Sequence, residues 1–183
     1  MSRVAIPNGR ATVSTQMGAL EIVIPSKRNL FVTAFLMAWL GGWFFGEASA
    51  IQSLHSGRPD GGATGFLLFW LIGWTIGGIA VGTTVLWNLA GKEILVVGRG
   101  ELVHRRVIGG LGRSKSYDLA HVRELRVSPY IAASLVQRNQ SPFGFASGPI
   151  AFDYGAKTVR MGAGVEEAEA KQLVEMIKNR FNI

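Results

Sequence analysis

Residues 30–46 read LFVTAFLMAWLGGWFFG, and residues 65–89 read GFLLFWLIGWTIGGIAVGTTVLWNL. Neither run contains an Asp, Glu, Lys, Arg or His. At about 1.5 Å per residue, runs of this length cover most or all of a hydrocarbon core that is roughly 30 Å thick. Both are far more apolar than an amphipathic helix of a soluble core. They therefore predict two transmembrane helices, over about residues 30–50 and 65–89.

The stretch between the two runs, residues 47–62, is short and polar, and it contains Glu47 and Asp60. It predicts an external turn, so that the two spans form a helical hairpin. Lys27 and Arg28 directly precede the first span, and further basic residues follow the second, whereas the turn has only Arg58. Because lysine and arginine accumulate on the cytoplasmic side of membrane proteins, we expect both termini in the cytoplasm.

Small residues recur in both spans at a spacing that allows close helix approach. They are Gly42, Gly46, Gly73, Gly77, Gly78 and Gly82. Two interpretations stay open: the two spans pack on each other, or these faces dock on another membrane protein. The lack of ionisable residues in the spans argues against a transporter or proton channel, because such groups mark ion paths and substrate sites.

Outside the spans, the sequence alternates short apolar runs with glycine turns. Residues 93–97, 101–108, 113–117 and 119–127 read as strands, and residues 150–154 and 157–161 flank a hairpin turn at Gly155. Residues 165–181 carry an apolar stripe and predict an amphipathic C-terminal helix. Residues 18–25 also alternate like a strand that could join this sheet. We therefore expect a cytoplasmic segment with one strand (1–29), a transmembrane hairpin (30–91) and a soluble domain (92–183).

The order of these elements resembles a known group of proteins. Two spans, then residues 92–97 and 100–102 leading into 113–127, then the 150–155 hairpin and the closing helix, resemble bacterial membrane proteins with a pleckstrin-homology-like domain. The layout is also similar to that of the two-helix photosystem I assembly factors. The resemblance implies an α+β membrane protein whose bent antiparallel sheet is closed by the C-terminal helix. It also implies binding or scaffolding rather than catalysis, in the bacterial inner membrane.

The chain offers little for catalysis. It has no cysteine, and His104 and His121 lie on different predicted strands, so that we expect surface histidines rather than a metal pair. Residues 162–164 (GAG) precede a helix and could form a phosphate-binding nest, but the glutamates that follow would repel an anion, so a plain turn explains them. We therefore expect no enzyme activity, no cofactor and no metal.

The net charge of +7 draws attention to the basic residues of the soluble domain. They are Arg99, Arg105, Arg106, Arg113, Lys115, Arg123 and Arg126. Since Arg105 and Arg106 point to opposite faces of one strand, they cannot form a single patch. Three interpretations stay open: a solvated surface next to the membrane, a docking surface for an acidic partner, and a specific site for lipid or nucleic acid. The long connection 128–148, with its aromatic residues, is a further candidate for contact with the bilayer or a partner.

These observations predict a non-catalytic accessory, assembly or scaffolding protein that docks on a larger membrane protein complex. The expected partners are the membrane and other membrane protein subunits, and no nucleic acid. The alternative is a membrane-anchored module that binds anionic lipid head groups or peptides.

Overall fold

The computed structural model describes residues 2–5, 9–57, 61–128 and 148–181. These residues form an α+β protein with three helices, two of them long and apolar, and two antiparallel sheets. The helices are α1 (Leu30–His55), α2 (Gly61–Ala90) and α3 (Glu167–Phe181). The strands are β1 (Ser2–Ala5), β2 (Thr12–Gln16), β3 (Ala19–Pro25), β4 (Gly91–Gly98), β5 (Glu101–Ile108), β6 (Leu111–Asp118), β7 (Val122–Val127), β8 (Ile150–Tyr154) and β9 (Lys157–Met161).

The chain divides into two compact units. One, which we call the β unit, comprises Met1–Lys27 together with Ala90–Ile183 and holds all the described strands and α3. The other, the helical hairpin, comprises Arg28–Leu89. The helical hairpin is therefore an insertion between β3 and β4, and the β unit is built from sequence on both sides of it.

Six strands, β1 to β6, form the larger sheet in simple consecutive order. Two-residue turns join three of the strand pairs, and both residues of each turn have positive φ: Met17–Gly18, Arg99–Gly100 and Gly109–Gly110. Positive φ at both central residues is typical of the type I′ turn, which matches the twist of antiparallel strands and favours glycine. Such turns fix the register, so that β4 pairs with β5 from Gly98–Glu101 through Gly91–Ile108.

The N-terminal segment has three strands, not the single one predicted. The alternation in β3 is strong, with Leu20, Ile22 and Ile24 buried, and β3 pairs with β4. By contrast, β2 reads TVSTQ and has Val13 as its one apolar residue. Strand recognition depends on apolar alternation, so a strand built largely of small polar residues gives almost no signal.

The smaller sheet has the order β7-β8-β9. Residues 119–121, predicted as the start of a strand, instead form a 3₁₀ turn, because the Asp118 carboxylate accepts a hydrogen bond from Ala120 N at 2.9 Å. A bulge follows in β7, where Glu124 has φ 48° and the register with β8 shifts between Arg123 and Arg126. The predicted connection 128–148 lies, apart from its two end residues, outside the described residues.

The third helix covers the core of the β unit. Ala170, Leu173, Val174 and Ile177 are buried, as their spacing predicted. The helix begins at Glu167 rather than at residue 165, because a turn precedes it in which Val165 N donates to Gly162 O. The buried carboxylate of Glu169 also accepts a hydrogen bond from Ala11 N at 2.6 Å, which ties α3 to the segment before β2.

Both helices of the hairpin are longer than predicted. Asn29 caps α1, since its side chain accepts a hydrogen bond from Val32 N. From residue 47 to residue 55, α1 continues through a more polar stretch, in which the hydroxyls of Ser49 and Ser53 donate to the carbonyls of Phe45 and Ser49 and are thus satisfied within the helix. By length and composition alone, α1 and α2 are two candidate membrane spans, with mean hydropathies of 1.4 and 1.8.

Candidate functional sites

The glycines of the helical hairpin fall into two groups. A Cβ atom on Gly46, Gly77 or Gly78 would lie 3.0–3.5 Å from a tryptophan ring of the opposite helix. The remaining predicted positions, Gly42, Gly73 and Gly82, would meet nothing within 4 Å. The first group thus leaves room for rings inside the hairpin, and the second leaves small open patches on it.

Two tryptophans, one from each helix, hold α1 and α2 of the hairpin together. The Trp43 and Trp74 rings stack with centroids 3.9 Å apart, Trp70 extends this stack next to Trp74, and Trp39 contacts Trp43 with a tilted ring. Trp43 Nε1 donates to Trp74 O, and Trp74 Nε1 donates to Trp43 O, both at 3.1 Å. The two indole N–H groups are therefore satisfied by the opposite helix, which an apolar environment requires.

A shallow apolar groove lies beside this stack, with a volume of about 380 Å³. It is lined by Trp43, Phe69, Trp70, Ile72, Gly73 and Trp74. Gly73 lies in its wall as one of the open glycines. The groove is thus an apolar surface with a small residue in its wall, the kind of surface on which transmembrane helices pack.

Apart from His55 at the end of α1, Glu47 is the one ionisable residue of α1 and α2. Glu47 was predicted to start the external turn, but α1 continues through it to His55. Its carboxylate Oε1 accepts a hydrogen bond from the Thr75 hydroxyl of α2 at 2.5 Å. The change of composition at residue 47 suggested the end of the span, whereas the run EASAIQSLH is compatible with a helix and simply continues it.

The predicted basic residues do not form one surface, but four basic side chains do meet on one face of β5 and β6. His104 lies directly opposite Lys115, and Arg106 lies directly opposite Arg113. Like charges at directly opposed positions destabilise an antiparallel pair, by roughly 0.2–1 kcal/mol. We call these four residues the basic array.

The other basic residues lie elsewhere. Arg105 is on the opposite face of β5, next to Ile94 and Ser114, and Arg99 occupies a turn. Arg123 and Arg126 belong to the smaller sheet. There Arg126 donates to the Asp153 carboxylate at 2.8 Å, and this hydrogen bond, with a second one from Thr158, lowers the pKa of Asp153.

At one corner of the basic array lies a buried carboxylate, Glu93. Its Oε2 accepts hydrogen bonds from Gly162 N and Ala163 N at 3.0 and 2.9 Å, and its Oε1 lies 2.5 Å from His104 Nε2. Residues 162–164, which the sequence analysis explained as a plain turn, therefore do bind an anion, but the anion is a side chain of the same protein. Burial by itself raises the pKa of Glu93, but His104, Arg106 and the Ala163 N–H outweigh it, so that the pKa lies below its ordinary value.

The arrangement at Glu93 corrects the expectation that His104 is a surface histidine, because its side chain is only 10% exposed and lies against this carboxylate. His121 does lie on an exposed surface, where its Nδ1 is 3.4 Å from Asp118 Oδ2. The Arg106 side chain is not fully hydrogen-bonded. Its Nε atom is buried, has no hydrogen-bond partner and lies 3.8 Å from Glu93 Oε1. Over the described residues, no group of three or more His, Asp or Glu is placed to hold a metal ion.

A comparison with protein-family models and with curated proteins finds no match to this chain.

Proposed function

We propose that this chain is a membrane-anchored binding protein. In this proposal α1 and α2 cross a membrane as a hairpin, and the β unit is a pleckstrin-homology-like domain. The protein acts without catalysis, as an accessory, assembly or scaffolding subunit of a larger membrane protein complex.

The observation that carries this proposal is the exposure of the hairpin's apolar side chains. Phe31, Phe45 and Phe69 are 75–82% exposed, and only 6% and 0% of the most apolar windows of α1 and α2 are buried. The core helix of a soluble protein would be mostly buried. Contiguous apolar surface of this extent needs lipid or a partner to cover it.

The arrangement of the β unit supports the rest of the proposal. Its antiparallel strands are followed by one amphipathic helix that packs on their core, as in the family that the sequence resembles. The basic residues Lys27, Arg28 and Lys92 flank the hairpin on the side of the β unit, which favours the cytoplasmic side of a bacterial inner membrane.

Single cysteines test the topology, because the natural chain has none. Met17→Cys lies in the exposed β2–β3 turn, and Ser56→Cys lies at the far end of α1. In right-side-out vesicles, a membrane-impermeant thiol reagent should label Ser56→Cys and spare Met17→Cys, and inverted vesicles should give the reverse. Labelling of both from one side, or release of the protein by alkaline carbonate, would contradict the proposal.

The basic array favours a second candidate function, the binding of anionic lipid head groups. Arg106 and Arg113 lie next to the β5–β6 turn, and this end of the sheet is also where β4 begins, directly after α2. If α2 spans a membrane, the chain itself holds this end near the lipid surface. Each basic side chain there is worth on the order of 1 kcal/mol with anionic lipid.

The test of this second function uses the β unit alone. A fragment 92–183 would lack β1 to β3, so a better variant replaces residues 28–89 by a short turn, because Ser26 N and Gly91 O are only 3.0 Å apart. We expect this variant to bind vesicles with anionic lipid, and Arg113→Gln to weaken the binding about fivefold. Arg123→Gln, which alters the other sheet, is the matched control. Equal binding to purely zwitterionic vesicles would exclude this function.

A further inference from the structure

One side-chain contact of the helical hairpin, between Glu47 and Thr75, differs in kind from the tryptophan contacts described above. It joins a carboxylate of α1 to a hydroxyl of α2. Neither helix contains a lysine or an arginine. Within the described residues, no basic side chain lies within 4.0 Å of the Glu47 carboxylate.

The position of this contact along the helices places it at membrane depth. At about 1.5 Å per residue, Glu47 lies roughly 26 Å from the start of α1 at Leu30, and Thr75 lies roughly 22 Å from the end of α2 at Ala90. A hydrocarbon core is about 30 Å thick. If the hairpin spans the membrane, Glu47 therefore lies within the outer part of the core, and α1 extends beyond it.

A carboxylate at this depth needs more stabilisation than a hydrogen bond from one hydroxyl provides. Ionisable side chains in the hydrocarbon core are costly, and where they occur they pair with an opposite charge or serve a function. Thr75 provides one hydrogen bond, to Oε1. A second copy of the chain brings no lysine or arginine at this depth, because its α1 and α2 contain none.

The groove described above lies close to this carboxylate. Glu47 is one helical turn beyond Trp43, and Thr75 directly follows Trp74; both tryptophans line the groove. The open position at Gly73 lets another backbone approach. A helix seated in the groove would thus pass a negative charge for which the described residues provide no cation.

We propose that Glu47 and Thr75 bind a lysine or arginine side chain of a partner's transmembrane helix, which packs in the groove beside Trp43 and Trp74. This inference rests on the proposed function, and it names the docking site for the membrane complex. The Glu47 carboxylate selects a partner helix that has one basic residue at the depth of Glu47, towards the outer side of the membrane. The apolar groove contacts neighbouring apolar residues of that helix.

The experiment uses the full chain in phosphatidylcholine vesicles, labelled with a donor fluorophore. The probe is a leucine-rich transmembrane peptide with an acceptor fluorophore and one lysine about six residues from one end. A second peptide has leucine at that place. We expect the lysine peptide to associate about tenfold more tightly than the leucine peptide, which is the size expected of an interhelical polar contact.

Three variants locate the effect. Glu47→Gln should remove the preference for lysine, and Thr75→Val should reduce it, whereas Ser49→Ala should leave it unchanged, because Ser49 bonds only within its own helix. Equal association of the two peptides with the natural chain would overturn the inference, as would a preference that survives Glu47→Gln.

Protease protection of the same vesicles separates this inference from the proposed function. If the hairpin is protected and the peptides still associate equally, the docking site is wrong and the membrane anchor stands. If the hairpin is not protected, both proposals fail.

Discussion

The helical hairpin and the β unit use polar and apolar side chains in opposite ways. The hairpin leaves its phenylalanines and isoleucines exposed and turns its tryptophan N–H groups inward onto backbone carbonyls. The β unit buries its aliphatic side chains, and it also buries a glutamate, Glu93, with hydrogen bonds to both carboxylate oxygens. Among the described residues, the buried side-chain polar groups of both units are hydrogen-bonded apart from the Nε atoms of Arg106 and Arg160. The two units differ in the solvent for which their surfaces are suited.

This comparison also has an experimental advantage. All five tryptophans of the chain lie between residues 39 and 87, so tryptophan fluorescence reports on the hairpin alone. Unfolding of the β unit can be followed by hydrogen exchange of its strand amides. Changes in one unit can thus be measured separately from changes in the other.

The largest effect is expected on removing the buried carboxylate of the β unit. Glu93→Ala leaves Gly162 N and Ala163 N without acceptors and leaves His104 and Arg106 without their counter-charge. We expect a loss of about 3–5 kcal/mol in the free energy of unfolding of the β unit. Glu101→Ala, at an exposed position on β5, is the matched control and should cost little. A small effect at Glu93 would mean that the two sheets do not depend on this anchor.

A smaller effect follows from lowering the pH, because Glu93 then loses its charge but keeps its volume. Its pKa lies below the ordinary value of 4.5 in the folded protein. The stabilisation of the β unit by ionised Glu93 is therefore complete above the pKa that Glu93 has in the unfolded chain. It is lost as the pH falls through the lower pKa that Glu93 has in the folded protein. Denaturation of the β unit between pH 6 and pH 2 measures this loss.

Glu93→Gln should flatten that part of the pH profile. The pKa of Asp153 is also lowered, through its hydrogen bonds to Arg126 and Thr158, so Asp153→Asn is the necessary comparison. If Asp153→Asn flattened the profile and Glu93→Gln did not, the acid sensitivity would belong to the surface pair.

The two units also differ in how much of them the sequence reveals. The uncharged runs predicted both helices of the hairpin, and the stripe at Ala170, Leu173 and Ile177 predicted α3. The link between Glu93 and His104 was missed, although the turns at residues 99–100 and 109–110 set the register of β4, β5 and β6. Counting pairs outward from these turns would have brought the basic array and Glu93 together.

Other features depend on contacts that no local pattern encodes. The nest at Gly162 and Ala163 meets Glu93 only because the chain returns to β4 after five further strands. Likewise, the Glu47–Thr75 contact requires the relative rotation of α1 and α2, which follows from how the tryptophans stack. Composition predicts which residues are apolar, but not which polar residues will meet.

A moderate effect is expected where the hairpin packs on itself. Gly78→Leu places a side chain against the Trp43 ring, since even a Cβ would lie 3.0 Å from Trp43 Nε1. Forcing extra volume into a packed site costs about 1–3 kcal/mol. Gly82→Leu makes the same change at an open position and should leave the hairpin intact. The emission maximum of the tryptophans should shift in the first variant and not in the second.

The smallest effect is expected in the basic array. The sign of the change in the free energy of unfolding shows whether a basic side chain there stabilises the fold or instead serves binding. Arg113→Gln removes one of the two like charges opposed at Arg106 and Arg113, so the β unit should become more stable by roughly 0.2–1 kcal/mol. The gain should shrink at high salt, which screens such charges. Arg105→Gln on the opposite face, whose directly opposed residues Ile94 and Ser114 are uncharged, should show no gain. A variant that is more stable yet binds anionic vesicles less well would indicate that the array is kept for its ligand, whereas a loss of stability would mean that Arg113 has a structural role in the fold.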